Sequence, residues 1–235
     1  MMSPDDFKKE AAKKAITLVG DKTIVGLGAG SSIGYLLQFL REQMENGLNI
    51  QILTSSFSTR QLLLKNKFAV QSIDAFEKID IYFDGCDQFD NELNALKSGG
   101  GIHTQEKLLA SMANEFVLIG DESKLVTNFN NRFPLVIELL PQALSYIPGC
   151  IQKLFPDSRS AYRVSDKKDG YIITENGNYL LDIWFGEWTG LSRINPLVKS
   201  IAGVVETSLF YGLANKAIIA GKEGVKVLER NEIKA

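Results

Sequence analysis

The chain has 235 residues, with 26 lysines and arginines against 28 aspartates and glutamates and a formal net charge of −2. That balance argues against a dedicated nucleic-acid binder, which carries a strong positive excess, and 45% hydrophobic with 23% charged residues argues against disorder. No run approaches ~18 consecutive apolar residues, so no transmembrane helix is expected, and the length fits one large domain or a medium domain with a smaller companion. The opening MMSPDDFKKEAAKKA puts charges where a secretory apolar segment would stand. Cys86 and Cys150 have no metal-type spacing and make no disulfide framework, which points to a reducing, cytoplasmic setting.

In chain order, Phe7, Ala11, Ala15, Ile16 and Val19 fall on one face and predict a helix over 5–19. KTIVG at 22–26 is a β-branched run ending in glycine, and Ile33, Leu36, Leu37, Leu40 and Met44 predict a helix over 31–44. Strands are expected at 50–53, 79–83 and 116–119, and helices at 59–65 and 104–112, the last with Thr104 as N-cap. Strands alternating with helices imply βαβ units around a mainly parallel sheet. From about Phe133 the texture changes: prolines stand at 134, 141, 148 and 156, and strands are expected at 159–164, 171–174 and 179–184, with a turn at Glu175-Asn176-Gly177-Asn178. Segments 216–220 and 225–228 read as strands that return to the first sheet. The expected architecture is α/β: a Rossmann-like, mainly parallel sheet with flanking helices from 1–131 and 207–235, and a smaller α+β domain, 132–206, inserted before the C-terminal strands.

Four motifs could carry chemistry. Gly26 to Ser32 (GLGAGSS) lies between a strand and a helix. Its glycines, its serine hydroxyls and the helix dipole suit a phosphate, and alone it reads equally as a plain tight turn. It meets neither the dinucleotide fingerprint nor the P-loop pattern. Asp84-Gly85-Cys86-Asp87 follows a strand, where open α/β sheets place ligands. Its two acids could divide acid and base roles or hold a divalent cation; alone, with Asp90 and Glu92 nearby, they read slightly better as a solvated acidic loop. Lys97-Ser98-Gly99-Gly100-Gly101 precedes His103-Thr104-Gln105-Glu106-Lys107. A triple glycine is costly to order and suits a backbone that approaches a ligand; the lysine can stabilise an oxyanion, and Glu106 can move a proton beside a carbonyl. Asp121-Glu122-Ser123-Lys124 lies at the same sheet edge, with Lys124 as an anion contact or a surface lysine. His103 is the one histidine, and local packing or hydrogen bonding suits it better than catalysis. One histidine and no cysteine pair predict no metal site. Trp184 and Trp188 read as core or interface residues, and with Phe185 they offer apolar surface to a second copy.

Taken in order, IVGLGAGSS, DGCDQFD, KSGGGIHTQEK, DESKLV, FPLVIELLP, TENGNYLLD and GVVETSLF resemble the ribose 5-phosphate isomerase type A family over nearly the whole chain. The spacings among Asp84, Asp87, Lys97 and Glu106 agree with the family pattern without gaps. The resemblance implies interconversion of D-ribose 5-phosphate and D-ribulose 5-phosphate through a cis-enediolate, with no cofactor. It implies Glu106 as the base, Lys97 with the glycine loop as the oxyanion support, and Asp84 and Asp87 in ring opening and proton shuttling. Substrate contacts are implied at Gly28, Ala29, Gly30, Ser31, Ser32, Gly85, Cys86, Ser98, Gly99, Gly100 and Lys124, together with a homodimer or homotetramer. Ala29 stands where the family usually has threonine, Ser98 where it has glycine and Gln105 where it often has arginine, and Ile102-His103 and Gln88-Phe89 depart as well.

Alternative readings are an isomerase of a related sugar phosphate, a non-catalytic sugar-phosphate sensor, and another enzyme of similar fold such as an amino-sugar deaminase or an acyl-CoA transferase. A sensor would need an attached DNA-binding element, and this chain starts its α/β pattern almost at once and is not basic. The Lys97 to Glu106 motif does not resemble a deaminase.

Overall fold

The computed structural model describes residues 3–230. Helix α1 (Pro4–Ala15) opens with a capping box: the Ser3 hydroxyl accepts the Asp6 N–H, and the Asp6 carboxylate accepts the Ser3 N–H at 2.7 Å. It tightens into a 3₁₀ turn at Ile16–Leu18, short of the predicted Val19. Strand β1 (Ile24–Leu27) starts later than KTIVG suggested because Lys22 is a turn residue with φ 62°. Then follow α2 (Ser31–Glu45), β2 (Gln51–Thr54), α3 (Phe57–Lys65, capped by Ser56), β3 (Ile79–Asp84), β4 (Gln88–Phe89), β5 (Ala95–Leu96), α4 (His103–Met112) and β6 (Ala113–Asp121). The remaining elements are β7 (Leu135–Leu139), α5 (Ile147–Leu154), β8 (Arg159–Tyr162), β9 (Val164–Ser165), β10 (Lys168–Tyr171), β11 (Tyr179–Trp184), α6 (Leu191–Lys199), β12 (Val204–Thr207), β13 (Leu209–Phe210), β14 (Lys216–Gly221) and β15 (Gly224–Glu229).

The fold is α/β, as expected. A six-stranded sheet runs in the order β15-β14-β6-β3-β1-β2, parallel except for the antiparallel β14–β15 hairpin. Its parallel strands β1, β3, β6 and β14 are buried along most of their length, which is why they are apolar without alternation, whereas the edge strand β15 is largely exposed. Val25, Leu27, Ile81 and Phe83 pack against Ala11, Leu36 and Leu40 of α1 and α2. On the opposite face Tyr82, Phe116 and Leu118 pack with Leu109 and Ala110 of α4 and with Phe210. From β1 the chain crosses to β2 on one side, and β3 then pairs on the other. This order opens a crevice at the C-terminal ends of β1 and β3, where such sheets bind ligands.

Between β6 and β14 in chain order lies a four-stranded antiparallel sheet, β12-β7-β11-β8, covered by α5 and α6. The sequence reading expects neither these two short helices nor β7, which carries the buried Glu138 among four apolar residues. The predicted strand 159–164 splits at Arg163, and the predicted strand 171–174 keeps only Tyr171 in a ladder, with an isolated bridge at Ile173. Of the core and interface readings, the core one fits Phe185 and Trp188: Phe185 is 6% exposed, Trp188 packs edge-on against it and against Phe129, and half-buried Trp184 lies under the Arg159 guanidinium at 4.4 Å. No helix among the described residues is long and apolar enough to cross a membrane.

Candidate active site

The loop after β1 forms one end of the site. A Cβ on Gly28 would sit 1.9 Å from the carboxyl carbon of Asp84, so only glycine lets β1 end against that carboxylate. Gly30 holds φ 101° and starts α2 with no side-chain cap. The leading N–H groups of α2 and its dipole are therefore available to an anion. Ser31 is exposed and Ser32 buried at this turn. After β6, the buried Asp121 accepts the Ser123 N–H at 3.0 Å and shapes the 3₁₀ turn that presents Lys124. Lys8 of α1 reaches the same cavity. The sequence reading misses it, because Lys8 has the pattern of any surface lysine on an amphipathic helix and only the packing of α1 brings it here.

The other end is a buried charge cluster. The Lys97 ammonium lies 2.8 Å from Asp84 Oδ2 and 3.3 Å from Glu106 Oε1, and donates to the Gly85 carbonyl. Asp84 is fully buried, and both its oxygens are engaged: Oδ1 accepts the Gly85 N–H at 2.7 Å and the Ala29 N–H at 3.1 Å, and Oδ2 also accepts the Tyr82 hydroxyl at 2.6 Å. Burial alone would pull the Lys97 ammonium down, but Asp84 and Glu106 outweigh it and raise its pKa, so it stays charged. Burial raises the pKa of Glu106; Lys97 pulls it back and Asp84 adds to the rise, leaving a carboxylate more basic than an ordinary glutamate.

Two supports hold this end in place. Asp87 Oδ2 accepts the Ser98 N–H at 2.5 Å and the Gly99 N–H at 3.1 Å, which fixes the glycine loop. Helix α4 is tied to the antiparallel sheet on both sides of Glu106. Lys107 donates to Glu206 Oε1 at 2.9 Å, and the Thr104 hydroxyl donates to Glu138. Thr104 is therefore not the N-cap expected from sequence: Ile102 occupies that position without a side-chain bond, and the Thr104 hydroxyl is used for anchoring. Glu138 also accepts Thr174 at 2.8 Å, Asn176 at 2.9 Å and Asn178 at 2.8 Å, so the predicted turn at 175–178 wraps this carboxylate. His103 is fully buried with Nε2 3.2 Å from the Glu206 carbonyl, and burial, with the Lys107 ammonium, pushes its pKa down to about 4. It is neutral at pH 7 and outside the cavity wall.

A single cavity of about 360 Å³ gathers Ala29, Gly30, Ser31, Ser32, Gly85, Cys86, Asp87, Lys97, Gly99, Gly100, Glu106 and Lys124. Lys8, Ile119, Gly120 and Asp121 join them. Gly28, Asp84 and Ser98 lie behind the wall: Gly28 makes room for Asp84, Asp84 grips Lys97, and the Ser98 hydroxyl bonds the Pro134 carbonyl. Among the described residues no three histidine, cysteine, aspartate or glutamate side chains converge as metal ligands. The chemistry on offer is a basic carboxylate, a fixed cation and backbone donors at one end, with an anion cradle at the other.

The model of a family described as ribose 5-phosphate isomerase A (phosphoriboisomerase A) matches residues 51–224. The ribose-5-phosphate isomerase A of Methanocaldococcus jannaschii is 33% identical over 231 residues, covering 97% of this chain and 100% of that protein. That of Methanothermobacter thermautotrophicus is 37% identical, covering 95% and 97%. The solved M. jannaschii structure superposes with a TM-score of 0.90. A D-ribose-5-phosphate isomerase in complex with phospho-erythronic acid superposes with a TM-score of 0.92 at 32% identity, covering 97% of this chain and 100% of that one.

Proposed function

The chain belongs to the ribose 5-phosphate isomerase A family, and from that premise we infer that it interconverts D-ribose 5-phosphate and D-ribulose 5-phosphate. The observation that carries the mechanism is the Lys97 ammonium held between Asp84 and Glu106 at one end of the cavity that receives the start of α2 and Lys124. A dianionic phosphate bound at α2 by Ser31, Ser32, Lys124 and Lys8 would direct the carbonyl end of the open-chain sugar toward Lys97 and Glu106. Glu106 takes the proton from C2, the electrons of that bond form the C1–C2 double bond of a cis-enediolate, and O1 becomes negative. Lys97 and the amides of the glycine loop stabilise that oxygen. Glu106 then returns the proton to C1 while O2 becomes the ketone oxygen. Burial makes Glu106 a stronger base for a weakly acidic carbon, and Lys97, by favouring the carboxylate, limits that rise.

Transfer of the hydroxyl proton between O1 and O2, and opening of the furanose ring, fall to Asp87 rather than Asp84. Asp87 lines the cavity and its Oδ1 has no partner among the described residues, whereas both oxygens of Asp84 are occupied out of reach. The substrate class is supported by the relative solved with phospho-erythronic acid, a four-carbon acid carrying a phosphate. Incubating the protein with ribose 5-phosphate and following ketose formation tests the reading. Binding without ketose would reinstate the sugar-phosphate sensor, and turnover of a different aldose phosphate alone would shift the substrate.

The division into 1–131 with 207–235 and 132–206 is supported by the antiparallel sheet, whose strands all fall within 135–207. A homodimer or homotetramer is supported by Val164, Tyr171 and Ile173, which leave apolar side chains exposed on the smaller unit. The cytoplasmic setting is supported by the free thiols Cys86 and Cys150.

A further inference from the structure

Arg163 stands at the break between β8 and β9, outside the cavity wall, and no step above uses it. Its backbone is pinned on both sides: its N–H donates to the Leu180 carbonyl at 3.0 Å, and its carbonyl accepts the Ile172 N–H at 2.9 Å. Its guanidinium is gripped by Asp182 of β11, with Nε 3.1 Å from Oδ2 and Nη2 2.6 Å from Oδ1. Both side chains are largely buried, at 16% and 14% exposure. This fork-to-fork pairing fixes the plane of the guanidinium. The remaining nitrogen, Nη1, donates to the Gly99 carbonyl at 3.0 Å.

That last bond bears on the reaction. A trans peptide is planar, so its C=O and the following N–H point in opposite directions. With the Gly99 carbonyl held outward by Arg163, the Gly100 N–H is turned the other way. Gly99 and Gly100 both line the cavity, and the Gly100 N–H has no partner among the described residues. On the other side of the loop, Asp87 holds the Ser98 and Gly99 N–H groups. The Gly99–Gly100 peptide is thus oriented from two directions although neither glycine has a side chain to do it.

We propose that Arg163, oriented by Asp182, is a positioning residue that aims the Gly100 N–H at the oxygen that becomes negative in the enediolate. The proposal rests on the isomerase reading of the site. It assigns the smaller unit a part in catalysis through an arginine that never touches substrate. A donor aimed at developing charge acts on the transition state more than on the ground state.

Arg163→Lys and Asp182→Asn test it, because each keeps most of the packing. Three separate guanidinium nitrogens meet the two Asp182 oxygens and the Gly99 carbonyl, and a lysine ammonium lacks that planar fork, so lysine should not substitute for arginine. In both variants kcat should fall about 10- to 100-fold, somewhat less than the ~10²- to 10³-fold lost when such a donor is deleted. KM for ribose 5-phosphate should stay within about threefold, as for an interaction made in the transition state. The inhibition constant of phospho-erythronic acid should rise in step with the fall in kcat. Arg163→Ala should show the same pattern; if it does not fold, the other two variants decide. Unchanged kcat in folded variants, or a rise in KM matching the rise in the inhibition constant at constant kcat, would overturn the positioning role. The wild-type protein assayed alongside separates the two levels: no ketose from wild type removes the isomerase reading and this proposal with it, whereas an active wild type with fully active variants removes only the proposal.

Discussion

Lys97 carries one positive charge between two carboxylates, and that asymmetry sets the protonation behaviour of the site. Because burial raises the pKa of Glu106, the proposed base is deprotonated only above the ordinary glutamate range. Activity that needs the carboxylate therefore rises with pH through that raised value. The acid limb of kcat/KM should lie above the usual glutamate pKa of about 4.3, and a limb at that ordinary value would mean another base. The anion end should behave differently. Lys124→Ala, Lys8→Ala and Ser31→Ala should raise KM with kcat largely kept, since they would hold a phosphate that does not react; steady-state kinetics with a large fall in kcat and unchanged KM would move them into the catalytic group. The proposed roles of Glu106, Lys97 and Asp87 enter the sequence reading through the ordered set of motifs, since DGCDQFD alone reads slightly better as a solvated acidic loop and the glycine run alone as a flexible one. The enclosure of Asp84 is not legible, because it depends on Tyr82, Ala29 and Lys97 meeting from three separate segments. Lys8 and Arg163 leave no sequence signal at all: the role proposed for each depends on a contact set by tertiary packing.

Helix α4 gains its position less from its own propensity than from the carboxylates beneath it. Glu138 collects Thr104, Thr174, Asn176 and Asn178, and Glu206 collects Lys107 and Lys199. Glu138→Gln turns an amide NH₂ toward those donors and should cost about 1.5–3 kcal/mol of unfolding free energy, the worth of hydrogen bonds to a charged group, measurable by urea unfolding at pH 7. The four hydrogen bonds outweigh burial and lower the pKa of Glu138. A lowered folded-state value contributes stability above the unfolded pKa of about 4.3 and loses it as pH falls through the folded value. Acidification through that window should therefore lower Tm more in the wild type than in Glu138→Gln; parallel curves would show that the carboxylate charge is not what the network uses. Helix α2 is legible from its helical spacing, and the parallel strands from short apolar and β-branched runs. Strand β7 is not, because the pattern LVIEL places a charge where a buried strand should have none, and the partners that satisfy it lie some forty residues away in the chain.

At the scale of the molecule, the strand order puts β1 and β3 side by side with their loops opening together, and the antiparallel sheet holds α4 and the glycine loop against that opening. The alternation of strands and helices makes the first part legible. The second part is not, because it is written in long-range hydrogen bonds. Since no metal-ligating cluster converges among the described residues, EDTA should leave turnover intact; loss restored by a divalent ion would assign Asp87 and its neighbours to a metal instead. Sedimentation should give a homodimer or homotetramer, and a monomer at micromolar concentration would leave Val164, Tyr171 and Ile173 without that role. In the proposed mechanism Glu106 moves the C2 proton, and solvent exchange of that proton reads this step without interference from binding or product release. Wild-type protein incubated with ribose 5-phosphate in deuterated water should incorporate deuterium at C2. Glu106→Gln, with its fold kept, should lose that exchange together with at least ~100-fold in kcat, about 2.7 kcal/mol of barrier. Exchange retained by a folded Glu106→Gln variant would assign the proton transfer to another group.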